Sequence, residues 1–131
     1  MQIVDGRKYK RYVYRKNINV VVEGIKLPGY LLNISQEGLC FASPRPFNET
    51  VELTLEISNL YEFGMEAVND IRIRILKKQL GIGDTLYFCK LTQESWAFNT
   101  IVNQVAGWYD QHSAETKKTY PDMSLVMRQL R

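Results

Sequence analysis

Between Asn17 and Leu91 apolar side chains return at every second position, the period of an extended strand that buries one face. Ile18, Val20 and Val22 alternate with Asn17, Asn19 and Glu23 and predict a first strand. Gly24 and Pro28-Gly29 punctuate a turn, and Tyr30 to Ile34 reads as the second strand. Leu39-Cys40-Phe41-Ala42 opens a third, stopped by Pro44 and Pro46. Val51, Leu53, Leu55 and Ile57, set between Glu52, Thr54 and Glu56, give the cleanest alternation in the chain. Ile71, Ile73 and Ile75, flanked by Asp70, Arg72 and Arg74, form the fifth strand, and Gly81-Ile82-Gly83-Asp84 turns it into a sixth over Leu86 to Leu91. Six strands on short connections, with no helix between them, predict antiparallel pairing and closure into a small barrel without exposed edges.

After Leu91 the period changes. Phe98, Ile101, Val102, Val105 and Tyr109 recur at three-to-four spacing, which predicts a helix over residues 93–111 capped by Thr92, with Trp96 and Trp108 near its ends. Residues 113–119 read as a polar connector. Pro121 suits the first turn of a short helix that places Met123, Val126, Met127 and Leu130 on one face. The fold class expected is therefore mainly β: a six-stranded antiparallel β-barrel with a C-terminal α-helix and a short helical tail. The chain divides into a basic, arginine-rich leader (1–16), the barrel with its helix (17–111), and a connector with the tail (112–131).

Composition adds a charge asymmetry. Over the 131 residues the net charge is +3, but residues 1–16 alone carry Arg7, Lys8, Lys10, Arg11, Arg15 and Lys16 against Asp5. That is +5 in the leader and −2 over the remaining 115 residues. A focused basic segment on a nearly neutral body suits a local anionic partner better than a long polyanion. No apolar run approaches a membrane span, and residues 1–16 lack the apolar core of a secretory signal, so a cytoplasmic protein without membrane insertion is expected. Cys40 and Cys89 lie in apolar strand runs; a disulfide between them competes with the reading we prefer, two buried reduced thiols. Two distant cysteines and the lone His112 do not make a metal site.

The chemistry concentrates in two places. Arg11 and Arg15, four apart and interleaved with Tyr9, Tyr12 and Tyr14, offer two planar forks for phosphate oxygens or guanine. About twenty residues later, Asn33-Ile34-Ser35-Gln36-Glu37-Gly38 supplies an amide, a hydroxyl and a glycine at a strand-to-strand turn. Asn33 and Ser35, two apart on an extended segment, can share a face, and Gly38 permits a positive φ or a close backbone approach.

Arg11-Tyr12-Val13-Tyr14-Arg15 followed by this hexapeptide, on a six-strand pattern with a C-terminal helix, resembles the PilZ family, whose paired motif is RxxxR then [D/N]xSxxG. The resemblance covers roughly residues 7–110. It implies a PilZ-like barrel and a receptor for cyclic di-GMP (c-di-GMP), with Arg11, Arg15, Asn33, Ser35 and Gly38 as ligand-binding residues and Arg7 and Lys10 as auxiliary cations. It implies no further cofactor. Arg7-Lys8-Tyr9-Lys10-Arg11 also fits RxxxR; we prefer Arg11/Arg15 because Arg15 lies three residues before Ile18. Asn33 stands where the family often has Asp. An aspartate accepts from both guanine N1–H and N2–H₂, whereas Asn offers one carbonyl acceptor, so weaker affinity or an altered pose is implied.

The output expected is binding rather than catalysis: ligand orders the arginine leader and changes the surface shown to a downstream protein partner in motility, pili or exopolysaccharide control. The helix and tail are where partner contacts or a homodimer would form. One alternative is a PilZ-like adaptor that no longer binds nucleotide. Another is a small binder of single-stranded nucleic acid, ranked last because the body is slightly acidic. No nucleophile–base pair, carboxylate dyad or glycine-rich phosphate loop points to an enzyme.

Overall fold

A computed structural model describes residues 9–48, 51–112 and 119–121. Six strands, β1 (Tyr12–Val22), β2 (Ile25–Ile34), β3 (Gly38–Ser43), β4 (Glu52–Ser58), β5 (Ala67–Leu80) and β6 (Thr85–Leu91), precede one helix, α1 (Trp96–Gln111). They pair antiparallel in the order β1-β2-β3-β6-β5-β4, and β4 closes back on β1. The alternation read from the sequence is the burial pattern itself: Leu53, Leu55 and Ile57 of β4 and Ile71, Ile73 and Ile75 of β5 all point into one core.

Three boundaries differ from the sequence reading. β1 begins at Tyr12, so Arg15 and Lys16 are strand residues. Pro28-Gly29 lies inside β2, and the turn is Glu23-Gly24, both with positive φ. Pro28 is tolerated because this half of β2 pairs only with β1, leaving no second neighbour that needs its missing N–H. The helix starts later than expected: Ser95, whose hydroxyl accepts from Phe98 N at 3.2 Å, is the cap, while the Thr92 hydroxyl is donated to Glu52.

α1 buries Phe98, Ile101, Val102 and Val105 and packs against β1 and β5. It is also tied to β1 by polar contacts. The Tyr109 hydroxyl donates to the Val13 carbonyl at 2.6 Å and accepts from Tyr120 N at 3.2 Å, and the Tyr12 and Tyr109 rings lie 5.6 Å apart. Beneath them sits a buried polar cluster. Tyr14, fully buried, donates to Glu62 Oε1 at 2.8 Å; Lys16 Nζ reaches the Asn59 carbonyl at 2.7 Å and Glu62 Oε1 at 3.2 Å. Glu62 comes from the short 3₁₀ turn Tyr61–Phe63. The tail helix expected over 121–131 lies, beyond Pro121, outside the described residues.

Cys40 and Cys89 are buried free thiols. Burial pushes the Cys40 thiol above its ordinary 9.0, partly opposed by the Arg11 charge; burial and then Cys40 push Cys89 up as well. Burial first, then Glu62, drives the Tyr14 phenol up from 10.0 and Tyr120 to about 12. All four groups hold their protons to higher pH in the fold than in the unfolded chain, so their stabilisation is present below the ordinary values and lost as pH rises above them. Lys16 acts in the opposite sense, because burial lowers its value despite Glu62. With four groups against one, stability is expected to fall from about pH 9 upward. Urea midpoints measured at neutral pH and at about pH 10.5 check this; an unchanged or higher alkaline midpoint contradicts it.

Candidate functional site

Along β1 the inward residues Tyr14, Lys16 and Ile18 alternate with outward Val13, Arg15 and Asn17. Paired residues share a face, so the register defines a row across the outside of the barrel: Val13, Asn33, Cys40, Phe88 and Lys77. Arg11 precedes this row by two residues, on the same face. Its Nη1 donates to Asn33 Oδ1 at 3.2 Å, joining the two motifs across 22 positions of chain. Its Nε is buried and has no hydrogen-bond partner among the described residues. Buried guanidinium nitrogens normally find acceptors, so this one marks a place for an acceptor that the described residues do not supply.

Arg15 is exposed on the same outer face, in the stretch where the β1–β2 register shifts between Val13 and Lys16. Among the described residues it forms no ion pair. Lys10 is exposed, its Nζ 5.6 Å from the Tyr12 ring centre. Arg7 lies outside the described residues. Lys16, counted with the leader's charge, is withdrawn into the barrel by Glu62 and Asn59.

Ser35 and Gly38 occupy positions that shape the site. Ser35 is fully buried; its hydroxyl accepts from Gly38 N at 3.2 Å and Glu37 N at 3.3 Å, and its own N–H donates to the Gly38 carbonyl at 2.8 Å. This is a serine-built turn that leaves the hydroxyl engaged with backbone. Gly38 does not use positive φ. A Cβ there would lie 2.1 Å from the Cys89 carbonyl oxygen, so the glycine lets β3 approach β6. Of the five principal motif residues, Arg11, Arg15 and Asn33 present side chains to the outer face, and Ser35 and Gly38 hold the turn beside it.

A cleft of about 210 Å³ opens next to Arg11, lined also by Glu37, Leu76, Cys89 and Lys90. Another of about 330 Å³ shares Glu37 and Lys90 and reaches the start of α1. Neither Leu76 nor Lys90 is recognisable from the sequence as a neighbour of Arg11, and Glu37 is there only an unassigned position of the hexapeptide. Lys90 arrives by pairing opposite Gly38, and Leu76 by the β5 irregularity between Ile75 and Lys77, which leaves it 61% exposed. A larger cleft of about 580 Å³ runs along α1 past Trp96, Gly107 and Trp108 to Tyr120, away from the motif residues. Among the described residues no group of three or more His, Cys, Asp or Glu could hold a metal ion, and no helix is long and apolar enough to cross a membrane.

The chain is thus a closed six-strand barrel that carries two arginines on its outer face beside a glycine-closed turn. The PilZ domain model matches residues 5–90, and the chain belongs to that family. Among solved structures it is similar in fold to YcgR of Escherichia coli, determined in complex with c-di-GMP, at a TM-score of 0.65 and 11% identity. It is similar also to PlzA of Borreliella burgdorferi, again in complex with c-di-GMP, at 0.55 and 9%. Each match covers 86% of this chain but only 49% of the YcgR chain and 55% of the PlzA chain, so this sequence spans about half the length of either. No curated protein matches it.

Proposed function

We propose that the chain is a c-di-GMP receptor with no chemistry of its own, its ligand held on the outer face of β1 and β2 by Arg11, Arg15 and Asn33. The observation that carries this reading is Arg11: a guanidinium docked on Asn33 whose buried Nε has no acceptor among the described residues. A phosphate or a guanine O6/N7 edge satisfies such a fork with charge-assisted hydrogen bonds. That both structural relatives were solved with this ligand supports the reading. Ser35 and Gly38 contribute by fixing the turn, and Lys10 by adding positive charge; Arg7, the other auxiliary cation of the sequence reading, lies outside the described residues.

Output would pass through β1. Its outward residues bear the ligand, while its backbone and inward residues hold α1 and Tyr120: Val13 O accepts from Tyr109, and Tyr14 packs edge-on to Tyr120 at 5.2 Å. Ligand drawn onto Arg11 and Arg15 would shift the strand that seats the helix; the ordering of the leader expected from the sequence falls mostly on residues outside the described ones. Trp96, 82% exposed on α1, marks the face assigned to a protein partner or a second copy. Isothermal titration of the protein with c-di-GMP tests the reading. Saturable binding at micromolar or tighter affinity is expected, and no heat or shift up to high micromolar ligand would overturn it.

A further inference from the structure

Asn33 leaves the proposed receptor with a chemical deficit. The hydrogen-bonding edge of guanine presents two adjacent donors, N1–H and N2–H₂, best met by the two oxygens of one carboxylate. Asn33 has one acceptor oxygen, and that oxygen already receives Arg11 Nη1. That oxygen keeps a second lone pair for the ligand, but the other side-chain atom of Asn33 is a donor, so Asn33 cannot meet both guanine donors.

The same cleft contains a carboxylate that no part of the paired motif specifies. Glu37 lies between Ser35 and Gly38, and its backbone is held at both ends: its N–H donates to Ser35 Oγ, and its carbonyl accepts from Leu91 N at 2.9 Å. The side chain is half-buried and lines the cleft with Arg11, Leu76 and Lys90. Although two cations share that cleft, Glu37 forms no ion pair among the described residues. A carboxylate inside an anion site repels phosphate unless it faces a donor edge, and here Arg11 and Lys90 line the same cleft. Leu76, lifted outward by the β5 irregularity, gives the cleft an apolar wall.

We infer that Glu37 is the guanine-reading residue of this chain, supplying the paired acceptor that Asn33 lacks. It receives N1–H and N2–H₂ of one base of c-di-GMP, the base lies against Leu76, and Lys90 joins Arg11 in balancing the adjoining phosphate. The inference rests on the proposed receptor function and names its specificity determinant. A carboxylate that merely offset Arg11 and Lys90 would have the opposite effect on binding, because its removal would strengthen the site for any anionic dinucleotide.

The test is titration of wild type and Glu37→Gln with c-di-GMP and with its adenine counterpart c-di-AMP, folding being checked by circular dichroism. Glu37→Gln keeps the shape and the backbone contacts and turns one acceptor into a donor. Expected is a loss of about tenfold or more in c-di-GMP affinity with no comparable loss for c-di-AMP, so that selectivity narrows. Lys90→Ala should weaken both ligands alike, whereas Lys26→Ala, which removes the same charge from an exposed ion pair with Glu56, should change neither. Unchanged or tighter c-di-GMP binding by Glu37→Gln overturns the inference and leaves the receptor reading standing. Wild type that binds neither ligand overturns both.

Discussion

Arg11→Ala is expected to weaken c-di-GMP binding by two orders of magnitude or so while leaving the barrel folded. Truncating one partner of a desolvated, hydrogen-bonded charge pair costs about 2–5 kcal/mol, and every 1.4 kcal/mol is tenfold in affinity. Arg11 meets the condition of desolvation in part already, with its Nε buried and Nη1 on Asn33. The fold does not depend on it, because the core cluster is built from inward residues such as Tyr14, Ile34, Leu39 and Phe41. Asn33 is only half-buried, so water can replace the lost guanidinium. Arg11→Lys keeps the charge but not the planar fork, and should fall between wild type and alanine. Arg15→Ala should weaken binding less, since Arg15 stands exposed and makes no ion pair among the described residues. Titration of the three variants, beside thermal melts, checks the order. Arg11→Ala binding within a few-fold of wild type would place the ligand elsewhere.

The barrel was legible because strand periodicity survives in the sequence wherever one face is buried and the other wet, as in Leu53 to Ile57 and Ile71 to Ile75. What periodicity does not carry is pairing. β1 starts earlier than its apolar alternation indicates, because Tyr12, Tyr14 and Lys16 on one face and Val13 and Arg15 on the other offer no apolar–polar contrast. Tyr14 and Lys16 are buried only because Glu62 and Asn59, more than forty positions away, satisfy their polar ends. The Pro28-Gly29 pair signals a turn locally and is overridden by the longer β1–β2 hairpin. Thr92 and Ser95 are both good caps, and the choice went to Ser95 once Glu52 of a distant strand took the Thr92 hydroxyl. In the site, the paired motif names both Arg11 and Asn33, whose side chains meet in the fold. Glu37 and Lys90 were hidden for the same reason as the late boundaries: their neighbours are set by register between β3, β5 and β6.

Gly38→Ala is expected to destabilise the protein by about 2–4 kcal/mol, the cost of forcing volume into a contact with no room to relax. At this chain length that corresponds to a fall of roughly ten degrees in Tm. The new Cβ would meet the Cys89 carbonyl oxygen at 2.1 Å, its carbon at 3.1 Å and Lys90 Cα at 3.2 Å. All three are backbone atoms of β6, so no side-chain rotation relieves the clash. Yielding means separating β3 from β6 at the Gly38↔Lys90 pair, where the Ser35 hydroxyl, the Gly38 carbonyl and Leu91 N are also anchored. Because Gly38 has no positive φ, alanine suffers no conformational penalty of its own, and the whole effect isolates the strand approach. Gly107→Ala makes the contrast. There a Cβ meets nothing within 4 Å, on a helix, and the same chemical change should stabilise by about 0.5–1 kcal/mol. Equal melting temperatures for Gly38→Ala and wild type would mean that β3 and β6 do not approach this closely, and the placement of Lys90 beside the Ser35–Gly38 turn would go with it.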